Sequence, residues 1–209
     1  MSKILRIGGF VSGAVLIAFG IVVIVLAIDG HSTVGHDLKQ EQIVGTPDMS
    51  PAAIKAEGEQ AGLTNVDYPT CDVAGDTIDT GSEARCFAEY MRIHALEATG
   101  GKTYAQMPRY ATDDGKGTND PSQATKGANG QPVSNPVREV WVTETALATA
   151  LNVSYMATQL SLFSLVVGIA LLLSGIGFIV LAAGLVGAGA TSKAREPSVE
   201  PGQAATAGG

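Results

Sequence analysis

The chain has 209 residues, 45% of them hydrophobic and 16% charged, with a formal net charge of −7 and a pI near 4.9. That is room for one or two small domains, too apolar for a disordered chain and too poor in charge for an ordinary soluble one. The acidic balance excludes the clustered Lys and Arg that a phosphate backbone demands, so no nucleic-acid partner is expected.

Residues 1–6 carry Lys3 and Arg6 and no acid, and read as a short cytoplasmic tail. Residues 7–28 form an apolar run of 22 residues without a charge. At about 1.5 Å per residue this spans roughly 33 Å, enough for a hydrocarbon core of about 30 Å, so the run predicts a first transmembrane helix. It exceeds the roughly 7–15 residues of a signal-peptide core, which makes an uncleaved anchor the expectation. Residues 29–45 are polar and are expected to continue this helix in broken form.

Ser50-Pro51 pairs an N-cap residue with Pro at the first helical position. A short helix over 52–61 follows, closed by Gly62. Residues 65–79 read as irregular, with room for a short extended pair. Thr80-Gly-Ser-Glu83 has capping-box spacing ahead of a helix over 82–99, ended by Gly100-Gly101. Residues 111–135 are rich in Gly, Asp, Asn, Thr and Pro and predict a mobile loop. Asn135-Pro136 starts another helix, and no Gly or Pro interrupts residues 137–167. One long helix is therefore expected, over 136–158 before the membrane and 159–187 within it. Trp141 falls in the part before the membrane, and Tyr155 is the candidate for the interface. Residues 188–209 predict a disordered cytoplasmic tail.

Charge sets the predicted topology. Residues 29–158 hold 9 Lys and Arg against 18 Asp and Glu, a formal charge of 9 − 18 = −9. Lys193 and Arg195 follow the second apolar run. By the positive-inside rule both termini are cytoplasmic and 29–158 is an extracytoplasmic domain. Cys71 and Cys86 both fall in this domain. Outside the cytoplasm such a pair most simply forms one disulfide, and the Cys-x-x-Cys spacing of a metal or redox dithiol is absent. The fold class is thus an all-α membrane protein: two transmembrane helices flanking a small, mainly helical, disulfide-bonded domain.

Small residues suggest how the two long helices pack. Gly9, Gly13 and Gly20 mark the first helix. Ala150, Ala157 and Ser164 recur at seven along the second, as do Gly168 and Gly175. Such residues let backbones approach closely in lipid, so Gly9, Gly13, Gly20, Ala157, Ser164, Gly168 and Gly175 are assigned to helix packing, within the chain or with another copy. Neither apolar run contains an ionisable residue, which argues against a proton or ion relay.

The three histidines, His31, His36 and His94, are weak candidates for a metal site with Asp37 or Glu89. Their spacing carries no metal signature, and no metal ligand, catalytic residue or cofactor is assigned. The acids of 113–120 lack the spacing of a calcium loop. Asn152-Val-Ser154 matches a glycosylation triplet but sits on the long helix. No phosphate loop, dinucleotide fingerprint or Ser–His–Asp arrangement is present.

Gln42-Ile-Val-Gly-Thr-Pro-Asp-Met-Ser-Pro-Ala-Ala-Ile54, Cys71-Asp-Val-Ala-Gly75, the run from Arg85 to Gly101 and Trp141-Val-Thr-Glu-Thr-Ala-Leu-Ala-Thr-Ala-Leu151 resemble a family of actinobacterial two-pass membrane proteins. The resemblance implies residence in a bacterial plasma membrane, within the cell envelope. Some members of that family carry the label of an aromatic ring-opening dioxygenase. That reaction takes ferrous iron held by two His and a carboxylate with a further base, which would use most or all of the three histidines outside the cytoplasm. The expected role is scaffolding, interaction, or service as an accessory subunit, with the lipid bilayer and a homo-oligomer or larger membrane complex as partners. The alternative is a metal-dependent enzyme or ligand sensor.

Overall fold

The computed structural model describes the backbone of residues 2–193 and the side chains of 3–184. Its elements are α1 (Ser2–Glu41), α2 (Pro51–Gln60), α3 (Gly81–Ala98) and α4 (Glu139–Lys193), with single 3₁₀ turns at Tyr104–Gln106 and Pro136–Arg138. Among the described residues there are only isolated β-bridges and no strand. The chain forms two compact units. One is Met1–Leu26 with Ser164–Gly209, as far as these are described; the other is Ala27–Phe163. Helices α1 and α4 contribute to both.

Two expectations about the long helices are corrected. The first helix begins at Ser2 and runs to Glu41 without the break expected in its polar stretch, so residues 2–6 are helical and the helix is continuous over 29–41. The polar stretch stays helical because Val34 and Leu38 pack against the core of the second unit, and tertiary burial of one face outweighs weak propensity. The helix stops where Gln42 adopts a positive φ of 51°. At the other end α4 is helical to Lys193, six residues past the expected boundary at 187. The rest of the expected 188–209 tail lies outside the described residues.

The Ala27–Phe163 unit is organised around α3. Thr80 and Glu83 form the capping box: Glu83 N–H donates to Thr80 Oγ1 at 3.3 Å, and Glu83 Oε2 accepts from the backbone of Thr80 at 2.9 Å and of Asp79 at 3.0 Å. Ala84, Tyr90, Ile93 and Leu96 on α3 meet Ile54 of α2, Leu38 of α1, Trp141 and Leu151 of α4, and Val73 and Ile78 of the connecting segment. The Cys71–Cys86 disulfide ties that segment to the first turns of α3. Tyr90 has no exposed surface, and its hydroxyl donates to Cys71 O at 2.6 Å. Burial, with the charges of Asp72 and Glu89, raises the phenol above its ordinary range.

No extended pair forms within 65–79; instead residues 43–45 lie antiparallel to 75–78, with an isolated bridge at Val44 and Thr77. Ile78 N–H donates to Ile43 O and Gly45 N–H to Asp76 O, both at 2.9 Å. Gly45 is obligatory there, because a Cβ would overlap the Val73 carbonyl.

The segment 111–135 is not the unorganised loop that its composition suggests. Bridges join Tyr110 to Thr118 and to Ser134, and Lys126 to Pro132. Asp114 Oδ1 accepts from Thr112 Oγ1 and Lys116 N–H, and Asp120 Oδ1 from Ser122 Oγ and N–H. These bonds, the side-chain hydroxyls first, hold both carboxyls below their ordinary range. Asx turns thus supply the order that apolar burial does not. They also engage Asp114 and Asp120, two of the acids of 113–120, whose spacing is not that of a calcium loop.

Candidate functional site

The first feature with functional content is the contact between α1 and α4 within the Met1–Leu26 and Ser164–Gly209 unit. A Cβ on Gly13 would stand 2.7 Å from Gly175 O, and one on Gly175 would stand 2.7 Å from Gly13 O. One heptad along, a Cβ on Gly20 would stand 2.8 Å from Gly168 O, and one on Gly168 would stand 3.0 Å from Gly20 O. A Cβ on Gly9 would stand 3.0 Å from Ala182 Cβ. The two backbones therefore touch at reciprocal glycines, and any larger residue would separate them. Gly9, Gly13, Gly20, Gly168 and Gly175 all lie on this contact.

Ala157 and Ser164 do not share that line. Both are half-buried. The series through Gly168 and Gly175 extends to Ala182 in one direction and to Ser161 and Ser154 in the other, a spacing of seven. Ser161 Oγ faces Gly30, where a Cβ would lie 3.1 Å away, and a Cβ on Gly81 would meet the Ser154 carbonyl at 2.9 Å and overlap the Thr158 hydroxyl. The serines fit because each hydroxyl turns back on its own helix, Ser154 Oγ to Ala150 O at 3.2 Å and Ser161 Oγ to Ala157 O at 2.9 Å. The correction is one of phase. Two interleaved small-residue series occupy neighbouring positions of α4, and extending the glycine series backwards finds the right one.

The faces of α1 and α4 away from this line are apolar and open. Val11, Phe19, Val22, Phe163, Val166, Leu173 and Leu181 are all exposed. Each helix contains a stretch long and apolar enough to cross a membrane, and only 17% of either stretch is buried.

In the Ala27–Phe163 unit Trp141, the sole tryptophan, is 3% exposed and donates from Nε1 to Lys102 O at 2.9 Å. Arg92 lies over its ring, 5.6 Å from the centroid; Arg138 lies 3.8 Å over Tyr104, and Arg85 lies 4.8 Å over Tyr155. Beside this cluster, α3 and the start of α4 border an open cleft of about 570 Å³. Met49, Met91 and Val140 line it, with His94 from α3 and Glu139 and Glu144 from α4. Sequence reasoning singled out only His94 of these. Glu139 and Glu144 show no motif, and their role depends on where α4 is docked.

The three histidines do not converge. His31 and His36 lie on α1, whereas His94 Nε2 sits 3.1 Å from Asp48 Oδ2 without the angle of a hydrogen bond. Among the described residues no group of three or more His, Cys, Asp or Glu is placed to hold a metal ion. The donor set that a ring-opening iron centre requires is therefore not assembled by His31, His36 and His94, and no step is derived through such a centre. Glu97, near His94, keeps one carboxylate oxygen buried without a hydrogen bond. Burial raises its pKa first of all, the charges of Glu57 and Asp48 add to this, and His94 opposes it.

No protein-family model, curated protein or solved structure matches this chain.

Proposed function

We propose that the protein is a two-pass integral membrane protein of a bacterial cell envelope, which holds a disulfide-bonded helical domain outside the plasma membrane as a scaffold or interaction module. The observation that carries this reading is the exposed apolar surface of α1 and α4. Side chains such as Phe19, Phe163 and Leu181 cover far more than the scattered apolar positions of a soluble surface. Lipid is the solvent that satisfies them, and a helix is the element that satisfies its own backbone there. The reciprocal glycine contacts then supply helix–helix attraction, since lipid removes the hydrophobic drive between apolar helices.

Orientation rests on charge. Lys3 and Arg6 precede the first apolar run, Lys193 and Arg195 follow the second, and the −9 of residues 29–158 lies between (9 − 18). Both ends are thus cytoplasmic. The Cys71–Cys86 disulfide supports an oxidising location for the domain. A scaffolding or accessory role is favoured over metal-dependent chemistry, because among the described residues no group of three or more His, Cys, Asp or Glu is placed to hold a metal ion.

The test is alkaline extraction of native membranes combined with proteolysis of intact spheroplasts. The protein should stay in the membrane pellet, the central segment should be cut, and tags at either end should be protected. Release by carbonate, or cleavage of either tag, would overturn the anchoring or the orientation. Crosslinking in native membranes should then recover a stoichiometric partner or a homo-oligomer, and recovery of a lone monomer would count against a scaffold.

A further inference from the structure

The cleft between α3 and the start of α4 has an unbalanced charge. Glu144 is only 9% exposed and lines the cleft. Its one hydrogen bond comes from the adjacent Thr145 hydroxyl, at 3.2 Å. Among the described residues neither Glu144 nor Glu139 is in an ion pair. The arginines nearest in sequence to the cleft residues are engaged elsewhere: Arg92 lies over Trp141 and Arg138 over Tyr104. His94 is the one basic side chain in the lining, and it faces Asp48.

The rest of the lining is apolar. Met49 is buried, and Met91 and Val140 pack against the core from the cleft side. Thioethers adapt their shape to flat or irregular apolar bodies. The volume of about 570 Å³ suits a small organic molecule, being inside the range of roughly 300–1,000 Å³ for such sites.

We propose that this cleft binds a small organic cation with an apolar body. Its ammonium or amidinium head sits on Glu144, with Glu139 as the second carboxylate at the solvent side. Its body lies against Met49, Met91 and Val140. The inference rests on the Ala27–Phe163 unit alone and holds whether or not the membrane reading does.

The experiment is calorimetric titration of the full chain in lipid nanodiscs, with empty nanodiscs subtracted, using benzamidinium and its neutral analogue benzamide. The two share a shape and differ in charge, so partition into lipid or simple apolar trapping would not separate them in this sense. Benzamidinium should bind at one site, and benzamide at least about tenfold more weakly, as expected for loss of a charge-assisted hydrogen bond. Glu144→Gln should weaken benzamidinium about tenfold or more, while Glu59→Gln, exposed on α2 and outside the cleft lining, should leave it unchanged. Glu139 is exposed, so Glu139→Gln keeps the fold even if Glu144→Gln does not; it should weaken the cation about threefold and leave benzamide unaffected. Equal binding of the two probes, no benzamidinium binding at millimolar concentration, or full affinity in both Gln variants would each overturn the proposal.

Discussion

Replacing Gly175 by Ala tests the α1–α4 contact with the smallest available change. The added Cβ would stand 2.7 Å from Gly13 O and 2.9 Å from Ile17 N, both backbone atoms that cannot rotate away. Ordinary contact starts near about 3.5 Å, so the helices must separate by roughly 0.5–1 Å. Such a gap forfeits about a quarter to a half of each contact worth ~0.1–0.2 kcal/mol; over roughly 40 atom pairs the loss is about 1–4 kcal/mol. Overpacking of tight interiors typically costs about 1–3 kcal/mol, which agrees. Gly177→Ala is the matched control, since a Cβ there meets nothing within 4 Å. It gains helix propensity of up to about 1 kcal/mol. Thermal unfolding of the two variants in one detergent, followed by circular dichroism, should therefore place Gly175→Ala below wild type and Gly177→Ala at or above it. If Gly175→Ala is as stable as Gly177→Ala, the backbone contact between the glycines is not what holds α1 to α4.

Reduction of Cys71–Cys86, which closes a loop with a sequence separation of 15, should destabilise the Ala27–Phe163 unit by about 3 kcal/mol in the chain-entropy view; urea unfolding with and without reductant measures it. Thr80→Ala removes the α3 cap and should cost about 1 kcal/mol, read as an earlier urea midpoint with unchanged slope. Trp141 is the only tryptophan and is buried, so native fluorescence should be blue-shifted and should move red in step with unfolding; a red native spectrum would place α4 wrongly against Lys102. The raised pKa of Glu97 means that the folded state holds its proton more tightly than the unfolded state does. Its contribution to stability is therefore full below the ordinary value of 4.5 and is lost as pH rises through the folded pKa. Glu97→Gln should flatten this part of the stability–pH profile, and an unaltered profile would refute the assignment.

Much of this architecture was legible because it is written locally. Ser50-Pro51 marks a helix start through the fixed φ of Pro51, without a capping bond from the Ser50 side chain, whereas Thr80 with Glu83 and Asn135-Pro136 do so through bonds that close within four residues; α2 and α3 begin within one residue of their expected positions. Asn135 caps as expected, its Oδ1 accepting from Val137 N–H, although the first turn is 3₁₀ and not α. The uncharged runs identified both long helices, since length and apolarity need no partner to be read. Cys71 and Cys86, the only cysteines, could pair only with each other inside the chain.

What the chain could not state locally was decided by partners distant in sequence. The residues from Asp29 to Gln40 look like a failing helix until Val34 and Leu38 are seen against the core. Two small-residue series run along α4, and only the position of Gly13 and Gly20 selects the one through Gly168 and Gly175. The order of 111–135 comes from bonds such as Ala111 N–H to Val133 O, which no window along the chain contains. Glu144 reads as an ordinary polar position on a helix. It becomes a buried carboxylate without a counter-charge only because α4 lies against α3, and electrostatics depends on distance in space and on burial, not on separation along the chain.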